Sequence, residues 1–163
     1  IMHKREKIML EKKKFRYTIH ASAISRYANR NFDLCLQDLP IGSGQQFFLL
    51  RIYENEGISL YELGKLGFFD KGTVSRGVQK LEEAGYIRIE QDIQDRRWRH
   101  LYITEAAKPI IERLLEVREV WHTALTEGFT DEECIQAEYF LQRMAQNAKK
   151  YVQQQEGESW HKA

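Results

Sequence analysis

The sequence predicts a mainly α-helical protein with a small β-hairpin near its middle. Apolar residues recur at helical spacing in the first and the last third of the chain. Between these parts lie two short, separately capped helical segments, followed by two alternating segments on either side of a polar turn. The chain has 163 residues, enough for a hydrophobic core, and two of them are prolines, which suits a largely helical fold.

The first third predicts one long helix over residues 12–38, ended by Pro40-Ile41-Gly42. Its apolar positions lie three or four residues apart: Ile24, Ala28, Phe32, Cys35 and Leu39. A second helix is expected to begin at Ser43, which has capping-box spacing to Gln46. Its residues 47–53 are apolar nearly all round, so this helix should be central and buried, and Glu56-Gly57 should stop it.

Two further capping signals follow closely. Ser59 and Glu62 form a capping box that opens a short helix ending at Gly67, and its inward face should carry Leu60, Leu63 and Leu66. Asp70 then caps a helix from Lys71 to Ala84, which Gly85 closes. The pattern is that of a helix-turn-helix.

A β-hairpin is expected directly after these two helices. Residues 86–90 and 97–103 both alternate between apolar and polar side chains, and residues 91–96 are polar turn material. A hairpin in this position is a wing, so residues 43–104 predict a winged helix-turn-helix domain.

Two long helices complete the chain. Thr104-Glu105 should cap the first, in which Pro109 delays the first regular turn, and Thr130 with Glu133 forms the box that starts the second. The apolar positions of the two helices are Ile110, Leu114, Val117, Trp121 and Leu125, then Cys134, Leu141, Ala145, Ala148 and Val152. Amphipathic helices at the chain ends need a partner surface, and the residues after about Gln155 are expected to fray.

The helix that begins after Asp70 has two different faces. At 100° per residue, Val74, Val78 and Leu81 share a narrow arc that should pack on the core. The rest of the helix surface carries cations, small polar groups and an amide, which are the types that contact base edges and phosphates: Lys71, Gly72, Thr73, Ser75, Arg76, Gln79 and Lys80. An ordinary solvated helix face is the alternative interpretation.

The hairpin tip favours the DNA-binding interpretation. Asp95 and Arg97 are two residues apart, so on an extended strand their side chains point the same way and the carboxylate can brace the guanidinium. An arginine at a hairpin tip suits a narrow minor groove, where the potential is most negative. Arg96 and Arg99 add positive charge beside it.

Residues 40–107 resemble the MarR (multiple antibiotic resistance regulator) family of bacterial winged-helix repressors. The matching segments are Gln45-Gln46-Phe47, 58–64, 70–76, 81–87, Asp95-Arg96-Arg97 and 101–105. Two features depart from the family pattern: Gly77 replaces a large apolar residue, and Ala107 and Pro109 replace a Lys-Gly helix start. Gly77 should cost about 1 kcal/mol of helix stability, but it lets the helix approach its neighbour closely.

The resemblance implies a homodimer that binds a pseudo-palindromic operator in double-stranded DNA. Residues 12–40 and 106–155 would form the helical dimerisation region, and the helices 70–84 would enter successive major grooves about 10 bp apart. Many relatives bind a small aromatic or phenolic effector that weakens DNA binding. Its candidate pocket residues here are His20, Tyr27, Phe47, Arg51 and Trp121, for which core and surface packing is the alternative.

Other function classes are less well supported. The chain lacks a phosphate loop, a metal-ligand spacing and a nucleophile with an evident base, so we expect neither an enzyme nor a cofactor or metal site. Cys35 and Cys134 are far apart, which fits a reducing cytoplasm, with a redox-sensing thiol as the alternative. A membrane span and a signal peptide are not expected. A winged-helix protein-interaction module without sequence-specific DNA binding remains the alternative function.

Overall fold

Residues 16–92 and 98–160, which the computed structural model describes, are mostly helical. In chain order the elements are α1 (Arg16–Cys35), α2 (Ser43–Glu54), β1 (Ile58–Ser59), α3 (Leu60–Gly67), α4 (Lys71–Glu83), β2 (Ile87–Gln91), β3 (Arg99–Ile103), a 3-10 turn (Glu105–Ala107), α5 (Lys108–Leu125) and α6 (Asp131–Trp160). The chain divides into two compact units, one up to Trp121 and the other from His122. The mainly α-helical fold with a small hairpin is therefore confirmed.

Helix α2 lies at the centre of the first unit, as its apolar sequence predicts. Phe48, Leu49, Leu50 and Ile52 are all buried in it. They pack in one core with buried side chains of the end of α1, the helices α3, α4 and α5, and the sheet. Burying a large aliphatic side chain of this kind contributes about 1.5–3 kcal/mol, so α2 fixes the positions of the elements around it.

The hairpin belongs to a three-stranded antiparallel sheet in the order β1-β3-β2. Ile87 is the cross-strand partner of Ile103, and Gln91 of Arg99, which confirms the expected hairpin. Strand β1 was not expected, because two residues are too few to show alternation. Next to β1, a side chain takes the place of a strand as the hydrogen-bond partner of β3: the Ile103 amide donates to Glu56 Oε1 at 3.1 Å.

The start of the first unit differs from the sequence expectation in two places. Helix α1 ends at Cys35 rather than at residue 38, and a turn in which the Leu39 amide donates to Leu36 O follows it. Residues 12–15 of the expected helix lie outside the described part. The N-cap of α2 is Gly42, not Ser43, and Gln45 Oε1 accepts from the Gly42 amide at 2.9 Å. The capping signal was thus placed one residue too late.

Helices α3 and α4 form the expected helix-turn-helix. Leu63 is fully buried and Leu60 partly buried, but the prediction for Leu66 is wrong, because its side chain is 49% exposed. In the turn between the two helices, Phe68 adopts the left-handed backbone conformation with φ 57°, and α4 begins three residues later at Lys71. A Cβ on Gly77 would collide with the Phe48 ring, so this glycine does let α4 approach α2 closely, as the sequence suggested.

The start of α5 also differs from expectation. Thr104 precedes a 3-10 turn, and its hydroxyl donates to Gly85 O at 2.7 Å instead of capping the helix. The regular helix begins at Lys108, so Pro109 occupies its first turn, where the missing amide hydrogen costs nothing.

The second unit contains the end of α5 and helix α6. The expected capping box of α6 is confirmed: Glu133 Oε2 accepts from the Thr130 amide at 2.9 Å, and Thr130 Oγ1 accepts from the Glu133 amide at 3.2 Å. The backbone of α6 is helical to Trp160, and the expected fraying after Gln155 stays a prediction.

Candidate nucleic-acid interface

Asp70 caps the N-terminus of α4 with both of its carboxylate oxygens. Asp70 Oδ1 accepts from the Thr73 amide at 2.9 Å, and Asp70 Oδ2 accepts from the Thr73 hydroxyl at 2.7 Å. These hydrogen bonds hold the pKa of Asp70 below its usual value, because they favour the charged form. The first turn of α4 is therefore fixed before any ligand binds.

Helix α4 separates an apolar face from a polar one, as its sequence predicts. Val74, Val78 and Leu81 are buried. Of the predicted recognition residues, Gly72 and Thr73 are half-buried, and the exposed ones are Lys71, Ser75, Arg76, Gln79 and Lys80. Three cations thus lie on one short helix with their charged ends in solvent.

Two contacts within α4 orient its polar side chains. Arg76 Nη2 lies 3.4 Å from Thr73 Oγ1, and a Cβ on Gly72 would stand 3.4 Å from Arg76 Nη1. The absence of a side chain at Gly72 leaves room for the guanidinium along the first turn. Gln79 Nε2 donates one of its two N–H groups to Glu83 Oε1 at 2.8 Å, and this bond orients the amide on the polar face of the helix.

The structure describes the base of the wing. Arg99 is exposed in β3, and the Asp92 amide donates to Trp98 O at 3.0 Å, which closes the described part of the hairpin. Asp95, Arg96 and Arg97 lie outside the described residues, so their predicted bracing stays a prediction.

The outer face of the sheet carries a polar cluster. Arg88 Nε contacts Glu90 Oε1 at 2.8 Å, its guanidinium lies over the Tyr102 ring at 4.7 Å, and Nη1 donates to Ile103 O at 3.2 Å. These contacts join β2 to β3 on the side away from the core.

No role was predicted for His100 from the sequence, although the structure places it in a polar contact at the base of the wing. Its Nδ1 lies 2.8 Å from Gly57 O, and its Nε2 lies 3.1 Å from Asp92 Oδ2. The contact with Gly57 and then the contact with Asp92 raise the pKa of His100 above its usual value. The available signal was weak: a histidine on the polar face of a strand directly after the wing tip.

The predicted effector residues are only partly brought together. The Arg51 guanidinium lies 5.6 Å from the centre of the Phe47 ring, and Arg51 Nε is buried without a hydrogen-bond partner among the described residues. His20 and Tyr27 are exposed on α1, and Trp121 is half-buried on α5. The polar and ring contacts of the described residues do not join these three to the Phe47–Arg51 pair.

Comparison with known proteins places the chain in a family. The MarR family profile matches residues 43–97, which begin at α2 and extend into the hairpin. The HTH-type transcriptional regulator YybA of Bacillus subtilis (strain 168) is 32% identical over 127 residues, covering 78% of this chain and 82% of that protein. The chain belongs to the MarR family. It is thus a winged-helix, DNA-binding protein of transcription regulation.

Solved MarR structures have the same fold. A MarR protein from Peptoclostridium difficile is 32% identical, with a TM-score of 0.76 over 83% of this chain and 88% of its own. A putative MarR family regulator from Listeria monocytogenes, solved in complex with a 26mer DNA, is 25% identical, with a TM-score of 0.71 over 83% of this chain and 87% of its own.

Three further observations concern other kinds of site. Cys35 and Cys134 are free and half-buried. The described residues contain no cluster of three or more His, Cys, Asp or Glu side chains arranged to hold a metal ion. Within the same residues, no helix has the length and apolar character needed to cross a membrane.

Proposed function

We propose that this MarR-family protein is a sequence-specific repressor that binds a pseudo-palindromic operator as a homodimer. The polar face of α4 carries the proposal: Lys71, Arg76 and Lys80 are exposed on a helix whose opposite face is anchored in the core. A rigid helix with cations and small polar groups fits a major groove, in which arginine reads guanine and lysine contacts phosphate. The DNA complex of the Listeria relative supports the same use of the fold.

The wing is proposed to bind the flanking minor groove. Arg99 is exposed on β3, and Arg96 and Arg97 follow Asp95 at the predicted tip. Positive side chains on a narrow hairpin suit the negative potential of a narrow minor groove.

We propose a two-fold homodimer because the first and the last helix both expose large apolar side chains. The proposal keeps the domain organisation predicted from the sequence. Residues 43–104 would bind DNA, and residues 12–40 and 106–155 would form the dimer. Helix α1 exposes Tyr17, Ile19 and Tyr27 among others. Helix α6 exposes many large apolar side chains: Ile135, Tyr139, Phe140, Leu141, Met144, Tyr151 and Val152. Apolar surface of this extent on a regulator fits a second copy of the chain.

The test is binding of the full chain to DNA from its own promoter region. Arg76→Ala is expected to weaken binding to the operator by about 5- to 150-fold, because one base-contacting arginine is worth about 1–3 kcal/mol. Arg97→Ala should weaken binding and lower the slope of log K against log salt by about 1. Fluorescence anisotropy at several salt concentrations measures both.

Arg113→Ala is the matched control. Arg113 is exposed on α5 and paired with Glu116, so its loss removes the same charge away from α4 and the wing. Unchanged affinity in both Arg76→Ala and Arg97→Ala would contradict the proposed docking. Retention of no genomic fragment even at low salt would favour the protein-interaction module instead.

An aromatic or phenolic acid is proposed as the effector that releases the DNA. Arg51 beside Phe47 carries this proposal: its Nη1 is paired with Glu54 at 2.8 Å, but its buried Nε has no hydrogen-bond partner among the described residues, so an acid group that enters beside the Phe47 ring would accept from Nε. Salicylate at millimolar concentration should raise the melting temperature of the wild type and weaken DNA binding, and Arg51→Gln should reduce both effects. A melting temperature that salicylate and related phenolic acids do not change would contradict this effector class.

A further inference from the structure

His100 joins two parts of the fold that are far apart in sequence. Its ring lies between Gly57, in the turn before β1, and Asp92, directly after the last residue of β2. Asp92 is the residue at which the hairpin leaves the sheet, and its amide contacts Trp98 on the returning strand. A bond to Asp92 is therefore a bond to the base of the wing.

Both partners of His100 are hydrogen-bond acceptors. Gly57 offers a carbonyl oxygen and Asp92 a carboxylate oxygen, at 2.8 and 3.1 Å from the two ring nitrogens. A neutral imidazole has one N–H and can donate to only one of them, whereas the imidazolium donates to both. The complete bridge thus requires the charged ring.

The charged groups around the ring favour that form. Asp92 is in contact, Glu62 on α3 is the next acidic group, and Glu90 is the cross-strand neighbour of His100 on β2. Glu90 is already paired with Arg88. The His100 side chain is 30% exposed, so solvent weakens these charge effects without removing the two direct bonds.

We propose that His100 is a positioning residue of the wing: as an imidazolium it ties Asp92 to Gly57 and so holds the hairpin base against the helix-turn-helix. The inference rests on the proposed DNA binding, in which the wing contributes affinity. A wing held in place before binding loses less conformational freedom when it meets the groove.

The direction of the pH effect follows from the two protonation states. The pKa of His100 is raised in the folded protein, so the bridge is complete below the ordinary histidine value of about 6.5 and is lost as pH rises through the folded value. DNA affinity should consequently fall as pH rises from about 6 to about 8.5, by about two- to fivefold, as expected for a partly exposed ionic hydrogen bond.

The experiment compares the pH dependence of operator affinity in four proteins at constant salt. The wild type should show the step, and His100→Gln should not. Asp92→Asn should also lose the step, because the asparagine amide can donate to Nε2 of the neutral ring and so complete the bridge at high pH. Glu90→Gln removes a neighbouring negative charge without touching the bridge and should retain the step.

Each outcome decides the inference. A step that persists in His100→Gln or in Asp92→Asn overturns it, as does a step lost in Glu90→Gln. Binding with the expected affinity but no pH step in the wild type overturns the inference and leaves the proposed function intact. Absence of operator binding at every pH overturns both.

NMR of the free, full-length protein gives a second readout that does not need DNA. The ¹⁵N shifts of the imidazole nitrogens should show a His100 pKa above about 6.5, and Asp92→Asn should lower it. A His100 pKa at or below that ordinary value in the wild type would overturn the inference even if DNA binding were pH-dependent.

Discussion

Gly77 shows how one residue sets the distance between two helices. It lies on α4 facing Phe48, and a methyl group at this position would occupy the space of the Phe48 ring. Phe48 in turn contacts the rings of Phe47 and Phe69, with ring centres 5.6 and 5.1 Å apart. The ring cluster between α2 and the helix-turn-helix is thus too tightly packed to give way easily.

Gly77→Ala should destabilise the protein in spite of the better helix propensity of alanine. The propensity gain is about 1 kcal/mol, whereas overpacking typically costs about 1–3 kcal/mol. We expect a net loss in the free energy of unfolding, measured by urea denaturation.

Gly44→Ala is the control. Gly44 also lies in a helix, α2, but a Cβ there meets nothing within 4 Å. This change should stabilise the protein by about 0.5–1 kcal/mol. Equal effects of the two substitutions would show that packing against Phe48 is not what requires a glycine at position 77.

Side-chain contacts were predicted correctly from the sequence where the two partners lie close together in the chain. Ser59 with Glu62 and Thr130 with Glu133 are three residues apart, so local spacing alone predicts their contacts. One of the two partners of His100, Gly57, is 43 residues away and is reached only because β1 and β3 pair. A contact of that kind depends on the assembled sheet, so no local pattern could have predicted it.

Helix and strand types were predicted more reliably than their ends. Apolar spacing together with capping signals identified the six α-helices of the described residues, and the two-residue period identified both strands of the hairpin. Strand β1 has two residues and shows no period. At the start of α2, Gly42 and Ser43 are both acceptable N-caps, so the sequence alone did not choose between them.

Glu54 links two elements of the first unit. Its Oε1 lies 2.6 Å from Arg118 Nη1 on α5, and its Oε2 lies 2.8 Å from Arg51 Nη1 within α2. The Glu54 side chain is 28% exposed, so the bridge is only partly screened by water. One carboxylate is thus shared by two guanidinium groups, which makes a small network rather than an isolated pair.

Glu54→Gln should lower the free energy of unfolding by about 1 kcal/mol, because two guanidinium groups lose a shared carboxylate. Glu116→Gln is the control, since Glu116 pairs with Arg113 where both side chains are at least half exposed. Urea denaturation should show little change for the control. A Glu54→Gln variant as stable as the wild type would mean that the bridge contributes nothing net.

At the scale of the whole molecule, the exposed apolar residues of α6 decide the proposed assembly. Leu141 is about half exposed, and on a helical wheel it lies on the same side as Met144 and Val152. A side chain of this kind is unfavourable in water and favourable in an interface between two copies.

Leu141→Glu should shift the protein towards monomers and weaken operator binding, since one subunit can then contact only one half-site at a time. Leu66→Glu makes the same substitution at an equally exposed leucine on α3, outside the proposed dimerisation helices, and should leave the dimer intact. Analytical ultracentrifugation measures the assembly. A wild type that sediments as a monomer at every concentration would contradict the homodimer.

The Glu56 carboxylate affects whether a strand of another molecule can pair with the edge of this sheet in a crowded solution. Open strand edges recruit other strands, and proteins protect them with charge or with very short strands. Here β1 covers two residues of β3, and Glu56 accepts from the Ile103 amide next to it. A foreign strand that approaches this side finds that amide already engaged and a negative charge beside it. The side chain that completes the wing sheet therefore also protects the regulator from edge-to-edge aggregation.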